Sequence, residues 1–340
     1  MMLREQSDHQ SGDTGGDDEG CRPEQTAARA MGARDETPHS SMITDDSGSE
    51  MIGAVQLGVV FPQTEIGADP GAVSAFAQAA EEIGYGHLLA YDHVLGADVS
   101  QRADWPGPYT SEHQFHELFV LFGYLAAVAP GLELVAGVLV LPQRQTALAA
   151  KQAAEVDLLT GGRFRLGVGL GWNYVEYEAL GEDFRNRGRR SEEQIEVLRR
   201  LWTESVVEFD GRWHRIPAAG INPLPVQRPI PIWIGGSAEV AIERAARMAD
   251  GFFPQRPLEG GWPATMERFR SWAEEAGRDP GSIGVEQRID VSTGTPDAWR
   301  AAVEEWRGLG ATHVSLVTMR GGLDVDGHIE RIREAFEALT

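Results

Sequence analysis

The chain has 340 residues, 42% of them hydrophobic, with a formal net charge of −22 and a single cysteine, Cys21. That is enough apolar material for a large α/β domain. The charge disfavours nucleic acid, which needs a basic surface, and one cysteine excludes a disulfide framework, a zinc cluster or a core thiol nucleophile.

No apolar run approaches the roughly 20 residues that span a bilayer, and the N-terminus has no signal-peptide core, so no membrane partner is expected and the expected location is the cytoplasm. Residues 1–50 are rich in Ser, Gly, Asp and Glu and read as a disordered acidic leader. The folded domain is expected over 51–340. Val55 to Phe61 reads as a buried strand, and Asp69-Pro70 as an N-cap with proline at the first helical position. Val73, Phe76, Ala77, Ala80 and Ile83 fall at helical spacing, and Gly84 ends that helix. A second strand, His87 to Tyr91, delivers Asp92 and His93 at its end. Leu95 to His113 shows no periodicity and reads as a lid or binding loop. A helix over Phe115 to Val128, a third strand over Leu132 to Leu141 and a helix carried by Ala149, Ala153, Val156 and Leu159 follow.

The fourth strand, Arg163 to Val168, runs into alternating glycines, Gly167, Gly169 and Gly171, with Trp172 after them. Such a backbone permits close approach, beside a flat apolar wall. The spacing G-x-G-x-G is not the dinucleotide fingerprint G-x-G-x-x-G, and no second strand with an acidic end follows at the required distance. Ser191 to Gln194 has the form of a capping box opening a helix on Ile195, Leu198, Leu201 and Trp202, with Arg189 and Arg190 as its solvated start. Val207 to Ile216 alternates like an inserted hairpin around Asp210-Gly211. A fifth strand, Ile230 to Ile234, runs into Gly235, Gly236 and Ser237 ahead of a helix over Ala238 to Met248. The last three residues read either as an ordinary N-cap at Ser237 or as a phosphate cradle at the positive end of a helix. Strands over 250–254, 283–289 and 312–318 alternate with helices over 263–276, 296–309 and 325–339.

Eight strand-helix units in about 300 residues predict a (β/α)8 TIM barrel. Ligands of that fold sit at the C-terminal ends of the strands, where Asp92-His93, Gly167 to Trp172 and Gly235 to Ser237 would share one mouth. His93 beside a carboxylate suits proton transfer accompanying a redox step, and equally reads as a surface Asp-His pair. No third ligand accompanies His113 and His116, so no metal is assigned. Arg320, after the eighth strand, reads as a surface arginine placed where it can meet an anion at the mouth. No side-chain set here does redox chemistry unaided, which points to a borrowed cofactor.

The stretches V-V-F-P-Q from Val59, Y-D-H-V from Tyr91, G-V-L-V-L-P-Q-R from Gly137 and A-K-Q-A-A-E-V-D-L-L-T-G-G-R-F-R-L-G-V-G-L-G-W from Ala150 stand in one order with A-L-G-E-D-F-R-N-R-G-R-R, P-I-W-I-G-G-S and A-D-G-F-F-P. Together they resemble the luciferase-like monooxygenase superfamily, and within it the coenzyme F420-dependent (deazaflavin) oxidoreductases. The resemblance implies a bacterial-luciferase-type barrel with the cofactor ring across its mouth. It implies that His93 exchanges a proton during hydride transfer, that Asp92 contacts the ring, and that a non-proline cis peptide at Gly137-Val138 backs it. Gly167, Gly169, Gly171 and Trp172 would meet the cofactor's chain, and Gly235, Gly236 and Ser237 its phosphate. Several FMN-using relatives carry a basic residue facing the phosphate where this chain has Leu170. A phosphodiester of lower charge manages with backbone donors, which favours F420 over FMN. The expected activity is F420-dependent hydride transfer to or from a small organic substrate. The alternatives are an FMNH2-dependent two-component monooxygenase that uses O2 and a separate reductase, and a non-catalytic flavin-binding protein. The resemblance also implies a homodimer formed through barrel helices.

Overall fold

Strand and helix periods alternate along residues 55–340, the part of the chain that the structure, a computed structural model, describes. The predicted leader over 1–50 lies outside the described residues. The order is β1 (Gln56–Val60), α1 (Pro70–Ile83), β2 (His87–Ala90), α2 (Leu118–Val128), β3 (Glu133–Ala136), β4 (Leu139–Val140), α3 (Thr146–Leu159), β5 (Phe164–Gly169), α4 (Tyr174–Ala179) and α5 (Arg187–Thr203). It continues with β6 (Val207–Asp210), β7 (Arg215–Ala219), β8 (Ile232–Gly236), α6 (Glu239–Met248), β9 (Gly251–Pro254), α7 (Gly261–Glu275), β10 (Gly284–Asp290), α8 (Pro296–Gly308), β11 (His313–Val317) and α9 (Val325–Leu339).

The large sheet runs β3-β2-β1-β11-β10-β9-β8-β5-β4, and β3 pairs back onto β5, which closes the ring. β4 continues β3 after a break at Gly137-Val138, whose peptide bond is cis. Counting β3 and β4 as one stave, the parallel barrel has the eight staves of the expected (β/α)8 fold. β6 and β7 form the separate antiparallel hairpin expected from the Asp-Gly turn. Its tip is clasped: His214 Nδ1 lies 2.7 Å from Glu193 of α5, and its Nε2 lies 2.7 Å from the Thr146 hydroxyl at the start of α3.

Side chains two residues apart on a strand share a face, and the barrel interior is layered accordingly. Near the strand starts, His87, Arg165, Glu286 and Ser315 are buried together. Glu286 accepts from Arg165 at 2.7 Å and from Ser315 at 2.6 Å, and lies 3.0 Å from His87 Nε2. Two residues further on come Leu89 and Val317, packed with Val60, Val135, Trp233, Phe253 and Met319, and with Tyr91 and Val138 at their edge.

Most helix ends follow the local sequence. Asp69 caps α1 by accepting from Gly71 N, Pro70 opens it, and Gly84 closes it at φ 108°. The capping box at Ser191 is overturned. α5 already starts at Arg187, and the Ser191 hydroxyl inside it donates to Gly188 O instead of capping. Arg190 is not solvated: it is largely buried and donates to Glu182 at 2.8 Å. Nor is Ser237 an N-cap, because α6 begins one residue later than expected with Ala238 as its cap. Among the described residues, no helix is long and apolar enough to cross a membrane.

Candidate active site

Beyond β2 the chain leaves the barrel through Tyr91, Asp92 and His93, and α4 comes up beside it. Asn173 caps α4 by accepting from Glu176 N, and this short turn aims the Glu176 carboxylate inward. Glu176 is fully buried and accepts from Val94 N, from Leu95 N at 3.0 Å and from Gln143 Nε2 at 3.0 Å, with His93 Nδ1 at 3.3 Å. Burial alone would raise its carboxyl, but hydrogen bonds from His93, the Leu95 N–H and Gln143 outweigh that and hold it below its ordinary value. An ionised carboxylate can only accept, so it selects the tautomer of the neutral His93 ring that carries its proton on Nδ1 and its lone pair on Nε2. Among the described residues nothing hydrogen-bonds that Nε2.

Three aromatic edges surround the imidazole: Phe115 at 4.9 Å, Tyr109 at 5.4 Å and Trp172 at 5.4 Å between ring centroids. Tyr109 belongs to the predicted lid, which folds down over the site. A Cβ on Gly107 would stand 2.0 Å from the Trp172 ring, so only glycine lets the lid backbone lie this close. Trp105 packs on the same indole at 5.5 Å.

Asp92 faces the other way. It is buried, with Oδ1 accepting from Arg144 Nη2 at 2.6 Å and Oδ2 from Val140 N at 2.9 Å. Burial pushes its carboxyl up, and Arg144 and the Val140 N–H draw it back only in part. Asp92 thus fastens the end of β2 to β4, and both its oxygens are engaged by protein donors.

The glycines of β5 and β8 make room first for this chain's own atoms. A Cβ on Gly169 would lie 2.3 Å from Val138 Cγ2, and one on Gly235 would lie 2.9 Å from Val138 Cγ1. Val138 therefore nests between two backbones and floors the mouth next to Gly137. Gly167 faces Ala136 O, while Gly171, at φ 64°, abuts Val140. Next to them, Gly169, Leu170, Ser191, Gly235, Ala241 and Arg244 line a small cavity under the start of α6. Ala238 gives that helix no side-chain cap, and Gly236 and Ser237 are half-buried just ahead of it. Arg244 is mostly buried and ion-paired to Glu192 at 2.8 Å. It sets a guanidinium beside Leu170, the position where the sequence showed no cation.

The structure brings His93, Gly137, Val138, Gly167, Gly169, Gly171, Trp172, Gly235, Gly236 and Ser237 to the C-terminal end of one barrel, with Asp92 buried behind them. Sequence reasoning missed Glu176, Gln143, Arg144, Tyr109 and Arg244. Asn173-x-x-Glu176 is a capping signature that could have found the first of these.

A family model described as luciferase-like monooxygenase matches residues 51–338. An uncharacterised protein of Mycobacterium tuberculosis is 38% identical over 214 residues, covering 59% of this chain and 71% of the relative. The FMNH2-dependent dimethylsulfone monooxygenase of Pseudomonas putida is 34% identical over 201 residues, covering 58% of this chain and 54% of that enzyme. Among solved structures, a monooxygenase from Streptomyces bottropensis superimposes with a TM-score of 0.71 at 20% identity, over 84% of this chain and 98% of the other, which is a likeness of fold.

Proposed function

The chain belongs to the luciferase-like monooxygenase family, and from that premise we propose that it is a two-component flavin monooxygenase. FMNH2 from a separate reductase and O2 would meet a small organic substrate at the barrel mouth. One oxygen atom enters the substrate and the other leaves as water, the two electrons coming from FMNH2. The observation that carries this reading is His93, oriented by Glu176, walled by aromatic rings and set in the mouth floored by Val138.

The reduced flavin, when bound, supplies the electrons and the oxygen-activating ring. The protein's part is positional and acid-base. His93 Nε2 is the atom that takes or returns a proton, with Glu176 fixing its tautomer. Trp172, Trp105 and Tyr109 keep water off the reacting ring. Gly167, Gly169 and Gly171 serve the site indirectly, by letting Ala136, Val138 and Val140 pack against β5 and floor the mouth, while Gly235, Gly236 and Ser237 with the uncapped start of α6 would receive the cofactor's phosphate. Arg244 supplies the cation that a terminal dianionic phosphate needs, which removes the reason for preferring F420 that Leu170 gave. The dimethylsulfone monooxygenase among the relatives supports the same choice. F420-dependent hydride transfer is the second reading, served by the same imidazole. We also propose that the enzyme is a homodimer.

Separate titrations of purified protein with FMN, FMNH2 and F420 test the assignment, followed by O2 uptake with NADH and a flavin reductase. Micromolar affinity for reduced FMN with reductase-dependent O2 uptake is expected. Quenching of F420 fluorescence without any response to FMN would falsify it in favour of hydride transfer.

A further inference from the structure

Opposite the α6 side of the mouth, between β1, β2, β10 and β11, two side chains, Arg288 and Gln63, have donors without an acceptor among the described residues. Arg288 stands two residues above Glu286 on the same face of β10, half-buried, with its guanidinium 5.8 Å from the Tyr91 ring centroid. Its backbone lies in the β10–β11 ladder, and among the described residues no carboxylate ion-pairs with its side chain and no acceptor hydrogen-bonds it. Its guanidinium is therefore free to take up an oxyanion that enters the mouth.

Its surroundings lean the same way. Gln63 is fully buried, its Oε1 accepts from Tyr91 N at 2.5 Å, and its Nε2 has no partner among the described residues. Tyr109, which also edges His93, has its phenol pushed up to about 12 by burial and then by Tyr91, against the opposing pull of Arg320 and Arg288. It therefore stays a donor at neutral pH. Arg320 closes the rim, 3.2 Å from Asp290. Of the acidic groups nearby, Asp290 is engaged by Arg320 and Ser292, Glu286 by Arg165 and Ser315, and Glu65 by the Arg320 and Gly322 N–H groups at Oε1, with its Oε2 turned to His328 at 3.3 Å.

We propose that Arg288 is the specificity-determining residue of a substrate subsite, and that the substrate is a small organic anion whose oxyanion it grips beside Tyr91, Gln63 and Tyr109. The inference rests on the monooxygenase reading above and adds a substrate class to it. A guanidinium fork matches a carboxylate or sulfonate bidentately. From that anchor the rest of a small molecule extends past Tyr109 towards His93.

Calorimetric titration of the full chain, with and without FMN, compares methanesulfonate with its neutral isostere dimethyl sulfone, and propionate with propionamide. The anion of at least one pair should bind roughly tenfold more tightly than its neutral partner. Arg288→Leu should abolish that preference, and Arg288→Lys should keep part of it for a point charge but lose the bidentate share. FMN affinity, measured separately by fluorescence on each variant, should change less than about twofold. Which anion binds separates carboxylate from sulfonate substrates. Equal binding of anions and neutral partners by the wild-type chain, or no saturable binding of either, overturns the proposal without any variant having to fold. So does a loss of FMN affinity in Arg288→Leu as large as the loss of anion affinity, because Arg288 would then serve the cofactor. Failure of FMN to bind the wild-type chain, with the anion preference intact, would instead defeat the flavin reading.

Discussion

Glu176 accepts from the Val94 and Leu95 N–H groups, from Gln143 and from His93, and is shielded completely from water. In Glu176→Gln one oxygen becomes an NH2, which must face another donor. The expected loss is about 10–100-fold in turnover, the range known for partners that orient a functional imidazole, with FMN affinity little changed. His93→Ala should cost roughly 10²–10⁴-fold. Reductase-coupled O2 uptake alongside FMN fluorescence titration reads both. An active Glu176→Gln enzyme with unchanged turnover would show that the tautomer is set elsewhere. At Gly169 the argument is steric. Gly169→Ala drives a methyl into Val138, so a destabilisation of about 1–3 kcal/mol is expected, read as a lowered Tm.

α2 shows how an element can be legible while its partner is not. Its sequence, LFVLFGYLAAV, holds no charge, and Val120 is 73% and Tyr124 40% exposed on its outer face. A helix apolar all round is normally covered. In a chain of net charge −22, an uncharged face is where two copies of the proposed homodimer would meet with least repulsion. Val120→Asp should therefore convert a dimer to a monomer in size-exclusion chromatography with light scattering, and a monomeric wild type would end the idea. The barrel itself was readable because each strand carries its own apolar run and each helix its own 3.6-residue stripe. Asp69, Pro70 and Gly84 even mark the ends of α1. What failed was the reading of one signature in two places. Asn173-x-x-Glu176 is a real cap on a helix too short to show a stripe, whereas Ser191-x-x-Gln194 lies inside a helix that began at Arg187 without any side-chain cap. Arg244 and Arg288 escaped notice for a different reason. An arginine on a helix or strand looks the same in sequence whether it faces solvent or a cavity, and only barrel closure sets the one beside Leu170 and the other beside Tyr91.

Across the whole molecule, acid should be felt first at the buried histidines and then at the barrel's polar layer. Burial lowers the His313 imidazole to about 3, and the Arg165 charge acts in the same direction. The unfolded chain thus takes up this proton from about pH 6.5 downward while the fold does not, and stability is lost as pH falls through that window. Burial would raise the Glu286 carboxyl, but Arg165 and His87 outweigh it and hold it far below the ordinary carboxylate range. Its contribution is complete above about pH 5 and declines as pH falls further. Tm should therefore decline in two stages on acidification. His313→Asn should reduce the upper stage, leaving the share of His328, whose imidazole burial also lowers, and Glu286→Gln should flatten the lower, at a cost of about 1–3 kcal/mol at neutral pH because the buried Arg165 then keeps only Glu133, at 2.8 Å. A single late transition below about pH 4 in the wild type would contradict this. The same polar layer, sealed above by Trp233 and Phe253, makes the barrel a blind alley. On the proposed reading, cofactor, oxygen and substrate would all come in from the C-terminal end and the product would leave past whatever still sits there, so the order of arrival and departure would be set by traffic as much as by chemistry.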